Sequence, residues 1–131
     1  MRTASLFSVL FFIGAVLLPR ATMAAQTREV VVAINEAFVP GGFDIYSDTY
    51  VIASGIFPNG CYRWSRADVK HVDEFNHEIK SIATVQPGMC IMVLIPFNKE
   101  IRLGRFNAGK HSIKFVSGDG TFIEKTMVVE E

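Results

Sequence analysis

Neither basic nor acidic residues are in excess in this sequence. Its 131 residues carry 13 basic and 13 acidic side chains, a formal net charge of +0. A chain without a basic excess offers no electrostatic footprint for nucleic acid. Cysteine is scarce, with two residues and no Cys-x-x-Cys spacing, which excludes the usual dithiol redox motif. Gly-x-Ser-x-Gly and His-Glu-x-x-His do not occur, and no phosphate-cradling loop or paired-carboxylate motif stands out. The sequence therefore leads to the expectation of no enzyme and no cofactor. The chain is also too short for a (β/α)₈ barrel or a doubly wound dinucleotide enzyme. Amphipathic helical periodicity flanked by caps is absent too. Disorder is excluded by the opposite shortage: 20% of residues are charged while 50% are hydrophobic.

What is present begins with an uncharged apolar run, Leu6 to Leu18, behind Arg2. Pro19 ends it, and Thr22-Met23-Ala24-Ala25 supplies small residues for cleavage. That order is the signature of a secretory signal peptide over residues 1–25. Its apolar core of about 13 residues falls short of the ~20 that a spanning helix needs. Cleavage would remove Arg2 and Arg20, leaving 11 basic against 13 acidic residues, a net charge of −2. Residues 26–131 would then form a single exported domain, periplasmic or extracellular, with no membrane span.

The remaining chain reads as short strands between turn signals. Arg28 to Ile34 carries the β-branched run Val30-Val31-Val32. Thr49 to Phe57 ends at Pro58-Asn59-Gly60, a strong turn signal. Cys61 to Val72 alternates, with Tyr62, Trp64 and Arg66 on one face. His77 to Val85 follows a polar connection, Asp73 to Asn76. Met89 to Phe97, the most apolar stretch after the signal, predicts a central, fully buried strand. Lys99 to Phe106, a strand from His111 and a last one over Thr121 to Val129 complete the set. Phe38 to Asp48 reads as a mobile loop, and Ser65 to Glu78 is the best helical alternative. Seven or eight strands with turns every 8–12 residues predict an all-β antiparallel sandwich.

The stretch Leu103-Gly104-Arg105-Phe106-Asn107-Ala108-Gly109-Lys110-His111-Ser112-Ile113 resembles the closing hairpin of bacterial Ig-like domains. Those show Leu-Gly-x-Leu-x-x-Gly-x-Tyr-x-Ile; here Phe106 takes the second Leu position and His111 the Tyr position. The resemblance implies an Ig-like β-sandwich and specifies architecture, not activity.

Cys61 and Cys90 are an even pair in a chain bound for an oxidising compartment, so a structural disulfide is expected. If their strands ran in a flat meander, the intervening strand would hold them ~9.5 Å apart. A disulfide tolerates about 7 Å between Cα atoms. The bridge therefore requires adjacent strands or strands facing across the sandwich.

Two function classes remain. The first is a non-catalytic exported binding or structural module that contacts a protein or envelope component. Its candidate residues are Asn59, Tyr62, Arg63 and Trp64, since Tyr, Trp and Arg dominate binding hot spots. The simpler role for Tyr62 and Trp64 is core packing. The second is a small metal-handling (copper or zinc) or redox protein using His71, His77, His111 and Met89.

Overall fold

The computed structural model describes residues 14–19 and 26–131. The expected signal peptide lies outside the described residues except for 14–19, which form no helix or strand. Among the described residues there is no helix. None is long and apolar enough to cross a membrane.

Nine strands run in chain order: β1 (Arg28–Val32), β2 (Glu36–Phe38), β3 (Phe43–Asp44), β4 (Thr49–Phe57), β5 (Tyr62–His71), β6 (Asn76–Val85), β7 (Ile95–Gly104), β8 (Gly109–Val116) and β9 (Phe122–Glu130). They form a β-sandwich. One sheet has the order β1-β6-β8-β9-β3 with β5 also on β6; the other is β2-β4-β7. The ten-residue β6 organises the larger sheet. Its Asn76–Ile79 half pairs β8 and its Ser81–Val85 half pairs β1, while β5 takes nearly its whole length. The β6–β8 and β3–β9 pairs are parallel; the rest are antiparallel.

Alternation decides which side chains meet between the sheets. Strand β4 buries Thr49, Val51, Ala53 and Phe57, and β8 buries His111, Ile113 and Phe115. Ile79, Ile101, Leu103, Met127 and Val129 close the main core. Fully burying an aliphatic or aromatic side chain of this size contributes about 1.5–3 kcal/mol. A second cluster of Val32, Phe57 and Ala83 lies under Tyr62, Trp64 and Phe97.

Four expectations are corrected. Met89 to Phe97 is not a buried strand: no regular structure forms before Ile95, and Met89, Ile91, Met92, Val93 and Leu94 are all exposed. Pro96 lies inside the run and suits β7 to the sheet edge, and Cys90 is drawn out of any ladder to reach Cys61. The uniform alternation of β5 also fails, because a bulge between Trp64 and Arg66 shifts its register on β6. A bulge adds one residue and so exchanges the two faces. Tyr62 and Trp64 remain inward, but Arg66 turns out to form ion pairs with Glu29 and Asp68. The span Phe38 to Asp48 holds β3 and a closed turn. Asp44 Oδ1 accepts from Ser47 Oγ and the Tyr46 amide, and Ser47 Oγ accepts from the Asp44 amide. The helical alternative over Ser65 to Glu78 is strand, turn and strand.

Candidate functional site

Two constellations stand out, at opposite ends of β5. The first surrounds Cys61. Gly60 and Cys61 close the β4–β5 turn, with the Cys61 amide donating to Asn59 Oδ1. Cys61 and Cys90 form a disulfide with Cα atoms 5.2 Å apart. The bond ties the β4–β5 turn to the β6–β7 connection at one end of the sandwich; Cys90 itself lies in the connection and not on a strand. Gly60 N–H donates to the Ile91 carbonyl at 2.9 Å, and Val93 N–H donates to the same oxygen at 3.0 Å. The segment is thus fastened at Cys90 and Ile91.

Its side chains point outward. Met89 is 105% exposed, Met92 81% and Leu94 68%. Isolated surface hydrophobes are ordinary, but a contiguous run of them is uncommon on a monomer. Ile95 and Pro96 carry the run into β7, whose other edge has no strand neighbour among the described residues. Beside it lies a surface hollow of about 480 Å³ lined by Glu36, Ser54, Ile56, Pro96 and Asn98. Ser54 Oγ donates to Asn98 Oδ1 across its floor.

The residues singled out from sequence fall close to this loop with unequal roles. Tyr62 is half-buried and stacks on Phe57 with centroids 5.8 Å apart; Trp64 is half-buried and leans on Phe97 at 5.7 Å. Both pack the sandwich. Arg63 between them is exposed, and Asn59 caps the turn. Sequence reasoning missed the loop itself, although Pro96 within an apolar run and a cysteine obliged to find Cys61 were the available signals.

The second constellation joins all three histidines. Register sets His71 directly opposite His77 across the β5–β6 hairpin. The parallel β6–β8 pairing sets His77 opposite Ile113, two residues from His111 on the same inward face. His71 Nδ1 lies 2.7 Å from His77 Nδ1, and His77 Nε2 lies 2.9 Å from His111 Nδ1. His111 Nε2 lies 2.7 Å from the Asn107 carbonyl. His77 and His111 are 3% and 0% exposed. Phe106 covers both rings, with centroids 4.2 Å from His77 and 4.7 Å from His111, and Phe75 flanks His111 at 5.1 Å. Burial first, then the neighbouring His71 and His111, push the His77 pKa down to about 4, against a smaller opposing pull from Asp73.

This arrangement is a linear chain. His77 spends one ring nitrogen on each neighbour, so the three rings do not converge on one point. Among the described residues no group of three His, Cys, Asp or Glu is placed to hold a metal ion. Met89 lies beside the disulfide at the far end of β5, roughly 30 Å away at ~3.3 Å per residue.

Residues 51–129 match a family model described as the ORF11 beta-sandwich domain. The chain belongs to that family. The ORF11 beta-sandwich match begins within β4 and ends within β9, so it contains the disulfide, the exposed loop and all three histidines. No curated protein and no solved structure matches the chain.

Proposed function

We propose that this ORF11 beta-sandwich domain is a non-catalytic, exported binding module that docks a protein partner through the disulfide-braced loop 88–95. One observation carries this reading: the most apolar segment of the chain outside residues 1–25 is held on the surface by Cys90 and the Gly60–Ile91 hydrogen bond. Ordering five large apolar side chains toward water opposes folding, and a covalent brace offsets that tendency. Bracing also lowers the entropy lost when a partner binds. Two methionines suit such a surface because their unbranched side chains adapt to the facing contour.

A protein partner fits better than other occupants because the loop runs directly into the open edge of β7. An extended partner segment can add to that edge through main-chain hydrogen bonds and set its apolar side chains against Leu94, Ile95 and Ile56. The disulfide supports the exported location, since such bonds persist in oxidising compartments. The Ig-like relationship is likewise part of this proposal. Its support is the β8–β9 closing hairpin; the parallel β6–β8 pair departs from two purely antiparallel sheets. A metal-handling role for His71, His77, His111 and Met89 draws less support, because the imidazoles bond one another and Met89 is remote.

Site-specific photo-crosslinking in envelope and secreted fractions tests the reading. Crosslinkers at Met92 and Leu94 should yield one discrete protein adduct, lost on reduction of the disulfide and absent from a crosslinker at Lys125 on β9. Equal adducts from all three positions, or none, would sink it. So would loop-dependent sedimentation of the domain with anionic phospholipid vesicles, which would make the occupant a bilayer.

A further inference from the structure

We propose that the His71–His77–His111 chain is an acid-sensitive latch: it takes up one proton intact, and a second proton breaks it and frees the connection 105–109 from the β5–β6 tip. This inference is independent of how the apolar loop is used.

The number of hydrogens in the chain decides how it responds to acid. The Asn107 carbonyl only accepts, so His111 Nε2 carries a hydrogen. In the neutral state His111 Nδ1 then accepts from His77 Nε2–H, and His77 Nδ1 accepts from His71 Nδ1–H. Each of the three contacts holds one hydrogen, and three neutral imidazoles supply three. The exposed His71 offers its Nε2 as a fourth position. One added proton there leaves every hydrogen bond in place. If the hydrogen on His71 Nδ1 then shifts to His77 Nδ1 while the added one stays on His71 Nε2, every contact is still satisfied. A second added proton has no such place. It must set N–H against N–H across 2.7 or 2.9 Å, with two of the three rings now imidazolium. That loses a hydrogen bond and adds like-charge repulsion inside the sandwich.

The surroundings confine the effect to this end of the domain. Asp73, Glu74 and Arg105 line the hollow on the His71 side, and Glu78 and Lys114 line the hollow on the other side of His77. Opposite His111, β9 presents Met127, which does not titrate. The facing sheet presents Thr49, Val51, Ala53, Ile101 and Leu103, which do not titrate either. The chain also ties distant segments together. His71 and His77 belong to the hairpin tip, while Phe106, Asn107 and His111 belong to the β7–β8 connection and β8. The Asn107 Nδ2 donation to Glu74 Oε1, the Ser112 amide donation to the Phe75 carbonyl, the parallel β6–β8 ladder and the ring contacts of Phe106 and Phe75 also join them.

Long-range ¹⁵N–¹H NMR of the oxidised domain, combined with amide exchange from pH 7 to 4, tests the latch. The expected pattern at pH 7 is Nδ1–H on His71 and Nε2–H on both His77 and His111. On acidification, uptake of the first proton should leave amide protection unchanged. The second should coincide with a loss of about tenfold or more in protection at residues 72–76 and 105–109, relative to Val51 and Ala53. The His77→Gln variant should lack this step. An Nδ1–H tautomer on His111, three independent titrations with constant protection, or an unchanged step in folded His77→Gln would each overturn the proposal. Should His77→Gln fail to fold, the wild-type tautomers and protection decide alone.

Discussion

Cys61 and Cys90 are separated by 29 residues in sequence and by 5.2 Å at Cα, and their bond joins the β4–β5 turn to the loop that precedes β7. It clamps the two connections together at one end of the sandwich. Closing a loop of that length restricts the unfolded chain by about 3–4 kcal/mol in the chain-entropy description. The Cys61→Ser/Cys90→Ser double variant should lose roughly that much in chemical denaturation. An oxidised protein that is no more stable than the double variant would contradict the clamp.

The exposed loop makes a separable prediction. Met92→Glu/Leu94→Glu places charges where side chains already meet water, so stability should change by less than about 0.5 kcal/mol. Binding should nonetheless be abolished, as read by loss of the crosslinked adduct formed from a probe at Met89. A loss of several kcal/mol in the denaturation midpoint would show that the loop packs against the domain.

His77 gives a pH dependence of defined sign. Its folded pKa of about 4 is below the ordinary 6.5, so the unfolded chain binds this proton more readily. The contribution is fully present above pH 6.5 and is lost as the pH falls toward 4. Up to about 3 kcal/mol is involved. Asp44, Asp73 and Asp119 are also held below their usual 3.8, by hydrogen bonds from Ser47, the Phe75 amide and Thr121 respectively. Their contributions are lost at lower pH, as it falls through that range. Urea melts at half-unit pH intervals should therefore show a decline between 6.5 and 4 that His77→Gln removes. A flat profile there would contradict the assignment.

Gly55 in β4 makes a steric prediction. A Cβ at this position would stand 2.5 Å from Cζ of Phe97 and 2.8 Å from the Ala33 carbonyl oxygen. Phe97 is held by stacking on Phe57 with centroids 4.3 Å apart, and the carbonyl is backbone. Neither yields easily, so Gly55→Ala should cost about 1–3 kcal/mol. Thermal melts compared with Gly41→Ala, where nothing lies within 4 Å, would measure it.

Much of the fold was legible because its information is local. Strand β4 spans Thr49–Phe57, as its β-branched residues and the Pro58-Asn59-Gly60 turn require. The β5–β6 hairpin follows from alternation around a polar connection, and its register then sets His71 opposite His77. Parity and destination predicted the disulfide. The Met89 to Phe97 reading went astray because hydrophobicity reports a need for cover and does not say what supplies it. A buried strand and a braced exposed loop look alike at that level.

The sequence by itself determined an all-β chain, the sites of its turns and the pairing of its two cysteines, since each depends on residues close together or on simple parity. Tertiary structure alone decided the rest. The parallel β6–β8 register brought His111 to His77 across 34 residues, because such pairings rest on sheet order and leave no local periodic mark. The bulge after Trp64 turned Arg66 out of the sandwich, because one unpaired residue exchanges the two faces. The Cys61–Cys90 bond, joining two connections far apart in sequence, held the most apolar stretch of the domain at the surface.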